Sequence, residues 1–422
     1  MKTIYKSLLT LCVALVFGAI PAFAQISTPY SMYGYGILGD RATSMQRQMG
    51  SVGYAMQSGR QINVMNPASY AAIDSLTFLF DIGADVSFLW SKEGDKKDNS
   101  IGGGLDYVTM QFPLSKFMGM SLGLVPYSNV GYAFGSEIKH GAMQNQGSGG
   151  ITEAYLGLSG KIKGFSLGFN VSYDFGNIIN DVYSTPENSG QTLFQHVMQV
   201  RDWNVVVGAQ YSARLNKNDR LTVGATWSPK KGLHGNTWAT VQETVYDSKP
   251  DTLGRSRLFG HYEQPTTVGG GVSFLHERAS RLFIEADVTW QQWSKTPMPA
   301  LMSNTRPDVV VFQGMNFRDR LRVAAGAEFI PQLRGNYGER MAYRLGLSWC
   351  NDYLDIDGNR VREIGVSCGV GLQTPGEKTM INIGLEWKNR RAWPNALISE
   401  NYLNVTLGVN FNEVWFWKRK IR

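Results

Sequence analysis

The spacing of alternating segments constrains this chain more than any other feature. From residue 76 onward, apolar and polar side chains alternate in fourteen stretches of about ten residues. The odd-numbered connections between them run from about 10 to about 36 residues and the even-numbered ones from about 4 to about 8, so one rim is long-looped and the other short, as in a barrel with an outer and a periplasmic side. Strand one, 76–90, puts Phe78, Phe80, Ile82, Ala84 and Val86 on one face and Asp81, Gly83, Asp85 and Ser87 on the other. Strands five (165–175), nine (282–291), thirteen (381–388) and fourteen (402–411) repeat the pattern. Weaker versions span 104–113, 118–126, 151–160, 200–212, 220–228, 265–275, 320–331, 340–350 and 361–372. Ten residues is the length a tilted strand needs to cross a bilayer. Trp90, Trp203, Trp227, Trp290, Trp349 and Trp387 recur near strand ends, where interfacial aromatic girdles sit.

The expected fold is therefore all-β, a transmembrane antiparallel barrel of about 14 strands. Mean hydropathy is only −0.21, which suits strands with one polar face. A soluble sandwich or propeller is the alternative, but its connections have no reason to alternate in length. Segment 234–246 reads as additional strand above the membrane.

The N-terminus indicates export. Lys2 and Lys6 precede an apolar run from Leu8 to Ile20, and Ala22-Phe23-Ala24 reads as a cleavage site, giving a signal peptide over 1–24. Residues 25–75 lack period-two alternation and are rich in Gly and Tyr, which suits a compact plug folded inside the barrel, with a loose periplasmic arm as the alternative. Residues 412–422 form a basic tail assigned to the periplasm. Cys350 should face the lumen and Cys368 the lipid, so the two cannot bridge. The formal charge is +7, yet nucleic acid is not an expected partner of an exported barrel.

At Gly50-Ser51-Val52-Gly53 and Asn66-Pro67-Ala68-Ser69 the chain resembles the FadL/TodX family of outer-membrane transport proteins. Pro265 before a Gly-rich strand, Asp287 with Trp290 and Trp293, Gly326-Ala327-Glu328-Phe329-Ile330-Pro331 and Tyr343-Arg344-Leu345-Gly346 also resemble that family. The resemblance implies a 14-stranded barrel closed by an N-terminal hatch that ends on N-P-A just before strand one. It also implies ligand capture and hatch movement. The C-terminus departs from the pattern of many outer-membrane barrels by running past Phe411 to Arg422, which marks a distant branch.

No catalytic, cofactor or metal site is expected. The five histidines, His140, His196, His234, His261 and His276, read as lying in connections, and there is no spaced His/Cys cluster. Asp81, Asp85, Glu285, Asp287, Arg322, Glu328, Arg344, Glu363, Glu386 and Lys388 should face inward. They serve either as a network that stiffens the barrel and docks the plug or as a polar path for a ligand. Tyr30, Met32, Tyr33 and Tyr35 either line an apolar pocket from the plug side or pack the plug against the wall. Connections 127–150, 229–264 and 292–319 are candidates for an outer capture surface, and the Gly-rich strands 118–126 and 265–275 for a lateral opening.

The leading functional expectation is an outer-membrane channel for passive uptake of hydrophobic small molecules, such as long-chain fatty acids or aromatic hydrocarbons, with membrane lipid as its surroundings. The alternative is a non-transporting subunit of a larger outer-membrane assembly or secretion complex, held to a protein partner by its loops or basic tail. An apolar tunnel reaching a gap in the wall would favour the first, and a lumen without an apolar cavity the second.

Overall fold

The computed structural model describes residues 26–414 except 139, 188–189, 245–248, 250, 259–261, 299–300, 303–309, 313 and 375–378; the expected signal peptide and most of the basic tail lie outside the described residues. Fourteen strands close into one antiparallel barrel. They are β1 (Thr77–Glu93), β2 (Lys96–Pro113), β3 (Met118–Ile138), β4 (Gly141–Ile162), β5 (Phe165–Pro186), β6 (Gln191–Arg214) and β7 (Asp219–Ser228). The second half comprises β8 (Thr267–Glu277), β9 (Arg281–Gln291), β10 (Arg320–Ile330), β11 (Ala342–Ile356), β12 (Asn359–Gln373), β13 (Thr379–Trp393) and β14 (Ser399–Val414). Each strand pairs with its chain neighbours, and β14 returns to β1 with Phe80 opposite Phe411 and Val86 opposite Val405. Pairing of β14 with β1 removes the two terminal edges of the sheet, as a membrane-spanning sheet requires.

The alternation sorts side chains as expected. Leu167, Val223, Ile284, Leu345, Leu347 and Leu385 are exposed on the outside, while Asp81, Ser166, Thr222, Glu285, Arg344 and Glu386 are buried within. Cys350 is buried and Cys368 exposed, and both are free. No described helix is long and apolar enough to cross a membrane.

The long odd-side connections are corrected. Strands β3 and β4 run on to Ile138 and Gly141, so the expected connection 127–150 is a strand hairpin, and β5–β6 likewise extend to Pro186 and Gln191. Above the membrane these strands are polar, as in Gly141-Ala142-Met143-Gln144-Asn145-Gln146, so the apolar half of the alternation vanishes although the ladder continues. Connection 229–264 holds a further hairpin, Gly235–Thr244 with Asp251–Leu258, which extends the wall by pairing with residues 191–200 of β6. The described part of 292–319 carries a short helical turn, Trp293–Lys295, two brief strands, Leu301–Met302 and Val310–Phe312, and an isolated bridge between Met298 and Met315. The odd rim is thus tall from β3 to β6, while β1–β2 turn over at Gly94 and Asp95.

The outward position of Leu347, midway along β11, sets a direct test. Leu347→Arg should lower unfolding stability by about 2–4 kcal/mol in lipid, read by urea titration of tryptophan fluorescence in liposomes. A cost below about 0.5 kcal/mol would be that of an ordinary water-facing surface site and would show that this face does not meet lipid.

Candidate functional site: a filled lumen and an open seam

Residues 26–73 pack against inward-facing groups of the wall, and most of them are buried. Their only α-helix, Ser44–Arg47, is a single turn with Thr43 and Gln46 in a capping box. The segment has few internal backbone bonds, so its polar groups are met by the wall. Glu285 accepts from Ala55 N at 2.6 Å, and one Asp287 oxygen accepts from Gly53 N at 2.7 Å and Tyr54 N at 3.1 Å. Arg322 donates to the carbonyls of Gly50 at 2.6 Å and Ser51 at 3.3 Å. Arg344 bonds Gln48 Oε1 and Asn382 Oδ1 at 2.8 and 2.7 Å while pairing with Glu328 at 2.8 Å. Charge-assisted bonds of this kind contribute roughly 1.5–3 kcal/mol each when both partners stay in place.

Glycine makes this approach feasible. A Cβ at Gly326 or Gly346 would strike the backbone of Met49 and Gly50, one at Gly224 the Tyr54 carbonyl, one at Gly168 Pro67, and one at Gly119 the Tyr70 carbonyl. Gly369 and Gly384 face the Gln48 side chain, and Gly408 faces Ser44. These glycines adjoin one another across the ladders, as in Gly326 opposite Gly346 and Gly168 opposite Gly208. The inner wall is therefore a belt cut to the shape of the segment.

The expected hatch motif belongs to this grip. Asn66 is fully buried, accepting from Ala68 N at 3.0 Å and donating to Tyr54 O at 2.6 Å. Pro67 opens the short helix Pro67–Ala72, whose Ala71 N donates to Ser159 on β4 at 2.6 Å. Pro67 lacks an N–H and suits that first helical position.

Asp40 is a member of this grip that sequence reasoning missed. Its carboxylate lies 3.3 Å from Arg322, 3.5 Å from Lys388 and 3.8 Å from Arg320. Burial alone would raise its pKa, but the Arg322, Lys388 and Arg320 cations outweigh burial and hold it well below the usual carboxylate range. Lys388 continues to Glu386 at 3.2 Å and Glu363 at 3.8 Å, and Glu363 reaches Arg390 at 2.5 Å. The expected inward charges thus join in networks with the segment. Asp81 takes a bond from Tyr107 Oη at 2.9 Å, and that hydroxyl accepts from Ser44 N at 2.8 Å. Asp85 stands apart from these networks, accepting from Ser87 Oγ at 3.2 Å.

Tyr30, Met32, Tyr33 and Tyr35 come together in one apolar cluster. Trp293 stacks on Tyr353 with ring centroids 4.6 Å apart, Phe317 meets Tyr353 at 5.0 Å, and Tyr35 meets Trp293 at 5.4 Å. Two of the hydroxyls are engaged: Tyr30 donates to Ile398 O at 2.6 Å, and Tyr35 donates to Glu263 O at 3.2 Å. These rings fill their own space.

The wall parts between β2 and β3. β2 and β3 pair only from Val108–Leu124 to Pro113–Gly119. Beyond that level β2 stays on β1 and β3 stays on β4, with register shifts at Gly83/Ala84 and Pro126/Ser128. The N-terminal segment takes the freed edge of β3: Ile37 and Leu38 pair with Asn129 and Ser128, Gly39 N donates to Tyr127 O at 2.8 Å, and Thr28 N to Gly131 O at 2.7 Å. Behind the seam lies a cavity of about 440 Å³, lined by Asp40, Arg47, Asp85, Asp106, Glu363, Glu386, Lys388 and Arg390 together with Ile37, Leu38 and Leu105. The expected opening at 118–126 falls beside this seam, whereas β8, containing most of 265–275, is paired on both sides without a register shift.

Among the described residues, no group of three or more His, Cys, Asp or Glu is placed to hold a metal. The histidine reading is corrected for two residues: His196 is buried on β6, and His276 ends β8, 2.5 Å from Asp219. Both lie on strands because the ladders outrun the alternation.

A family model described as BamG matches residues 4–422. No curated protein matches in sequence. Among solved structures, a Pseudomonas aeruginosa FadL homologue superposes with a TM-score of 0.66 at 12% identity, covering 89% of this chain and 99% of that one. The Pseudomonas putida toluene transporter TodX gives 0.63 at 14% identity over 90% and 100%. The Ralstonia pickettii toluene transporter TbuX gives 0.58 at 14% identity over 88% and 98%. The chain therefore has the FadL-type barrel fold, in a distant branch.

The grip on the segment generates two tests. Gly346→Leu should drive Met49 and Gly50 off β11, so amide exchange over 46–55 accelerates while the barrel strands keep their protection; unchanged exchange there would contradict the belt. Arg344→Met leaves the buried Glu328 carboxylate with only the longer contact to Arg281 at 3.7 Å and should cost up to about 3–5 kcal/mol in urea unfolding, with Arg344→Met/Glu328→Gln recovering most of it.

Proposed function

This chain belongs to the BamG family, and we propose that it works as a closed outer-membrane barrel, a fixed subunit of a larger outer-membrane assembly. The observation that carries this reading is the grip on residues 26–76. Glu285, Asp287, Arg322 and Arg344 bond the segment directly, and glycines around the inner wall mould to it. A hatch that opens has to leave these bonds, and each buried charge left without its partner costs several kcal/mol. In this reading Asn66, Pro67 and Ala68 anchor a permanent plug, and Asp81, Glu285, Asp287, Arg322, Glu328, Arg344 and Glu386 dock and stiffen it. Tyr30, Met32, Tyr33 and Tyr35 seal its outer end. The signal peptide 1–24 delivers the chain to the outer membrane, where lipid surrounds the apolar outer face. The tall rim from β3 to β6 and the basic tail offer surfaces to a protein partner.

The seam favours a second reading, passive uptake of hydrophobic small molecules through the wall, in keeping with the fold shared with the toluene transporters. We place it second because the cavity behind the seam is lined by five carboxylates and three cations. A hydrophobe gains little in such a lining, since apolar sites need few polar groups.

Purification from native membranes in mild detergent, followed by native mass spectrometry, separates the two. We expect a protein partner at fixed stoichiometry that persists through size exclusion. A bound fatty acid or aromatic hydrocarbon with no protein partner would replace this reading with transport.

A further inference from the structure

We propose that the free edge of β2, residues 101–107, takes up an extended segment of a partner protein as an added strand. The inference rests on the subunit reading above and names where one contact of that assembly lies. Residues 101–107 hydrogen-bond to β1 on one side only; among the described residues no backbone bond joins them to β3 or to the N-terminal segment on the other. One residue further out, the Ser100 hydroxyl accepts from Ser27 N at 3.0 Å, which marks the limit of the segment's reach. Backbone groups on an open strand edge seek a partner, and at membrane depth water is not there to supply one. The matching edge of β3 is already occupied by Thr28, Ile37, Leu38 and Gly39 of the chain itself. The vacancy is therefore one-sided and belongs to β2.

The residues along the edge define the occupant. Gly102-Gly103-Gly104 carries no side chains to hinder an approaching backbone. Ile101 and Leu105 flank it and turn outward, 61% and 55% exposed, so an added strand presents apolar side chains on that face. Its alternate side chains point into the cavity, where Asp40, Asp85, Asp106, Glu363 and Glu386 face Arg47, Lys388 and Arg390. Asp40 is held by Arg322, Lys388 and Arg320, and Asp106 by Arg47, so among the described residues Asp85 is the lining carboxylate that makes no ion pair, bonding only Ser87 Oγ. An inward Lys or Arg would supply Asp85 with a partner. The partner segment is thus extended, apolar at every second position and basic between, bound by strand addition.

The test places a photo-crosslinking amino acid at position 105 in intact outer membranes, with the same substitution at 345 as control. Leu345 is equally exposed, but its strand is paired on both sides. We expect a protein adduct from 105, mapped to an extended alternating segment of another chain, and none from 345. Exchange of the 101–107 amides should slow when the partner is present and accelerate when it is stripped away. An adduct confined to lipid, an adduct to residues 1–26 of this chain, or equal protein adducts at both positions would each overturn the proposal. If a stoichiometric partner still co-purifies in those cases, the subunit reading stands and only the strand-addition contact falls. If none co-purifies, both fall.

Discussion

The structure depends on the need to pair every backbone N–H and C=O where water is absent. Closure of β14 on β1 meets that need for most of the wall. The same need governs the lumen, where residues 26–76 form little regular structure of their own. Their amides and carbonyls go to Glu285, Asp287, Arg322 and Ser159, so the wall's polar face acts as the segment's hydrogen-bonding partner. Polar residues inside the barrel are thus not simply wetted; many are matched to particular atoms of one chain segment.

Steric fit and charge act on the segment together. Charge-assisted bonds weaken steeply when donor and acceptor are held apart, and a side chain at Gly326 or Gly346 would hold the segment off the wall. Glycine on the wall is therefore a condition for the carboxylate and guanidinium bonds. Asp40 shows the converse: three cations from β10 and β13 converge on one acid of the segment, so removing that acid would leave like charges together in a confined space.

Much of the barrel was legible because alternation between lipid and lumen is imposed residue by residue. Strand number, face assignment and the separation of Cys350 from Cys368 all follow from it. Strand ends were not legible, because beyond the lipid nothing demands an apolar face, and stretches such as 141–150 keep their ladder with polar and small residues alone. Inward charges on the strands could be named, but their partners could not, since pairing depends on how the irregular segment threads the lumen. One signal was available and unused: between residues 26 and 73 Asp40 is the only acid, set against a wall with several inward cations. The glycines were conspicuous in number, but their alignment across neighbouring strands emerges only once the register is known. The seam was half legible, since a glycine-rich strand marked its vicinity but paired strands cannot be told from parted ones by composition.

The break between β2 and β3 is more informative than the paired wall. Pro126 has no N–H to give a neighbour, one register shift lies beside it in the β3–β4 ladder and another in the β1–β2 ladder, and the segment covers only the β3 side. Had the seam served only to seat the segment, both edges would be expected to engage it. Had it served an apolar solute, the space behind it would be expected to exclude charge, yet Asp85 and Asp106 stand at its margin. An edge of bare backbone flanked by outward apolar residues and backed by the Asp85 carboxylate matches another polypeptide better than it matches either alternative. The break then belongs to the same logic as the closure: the pairing omitted within the chain is left for a second chain to complete.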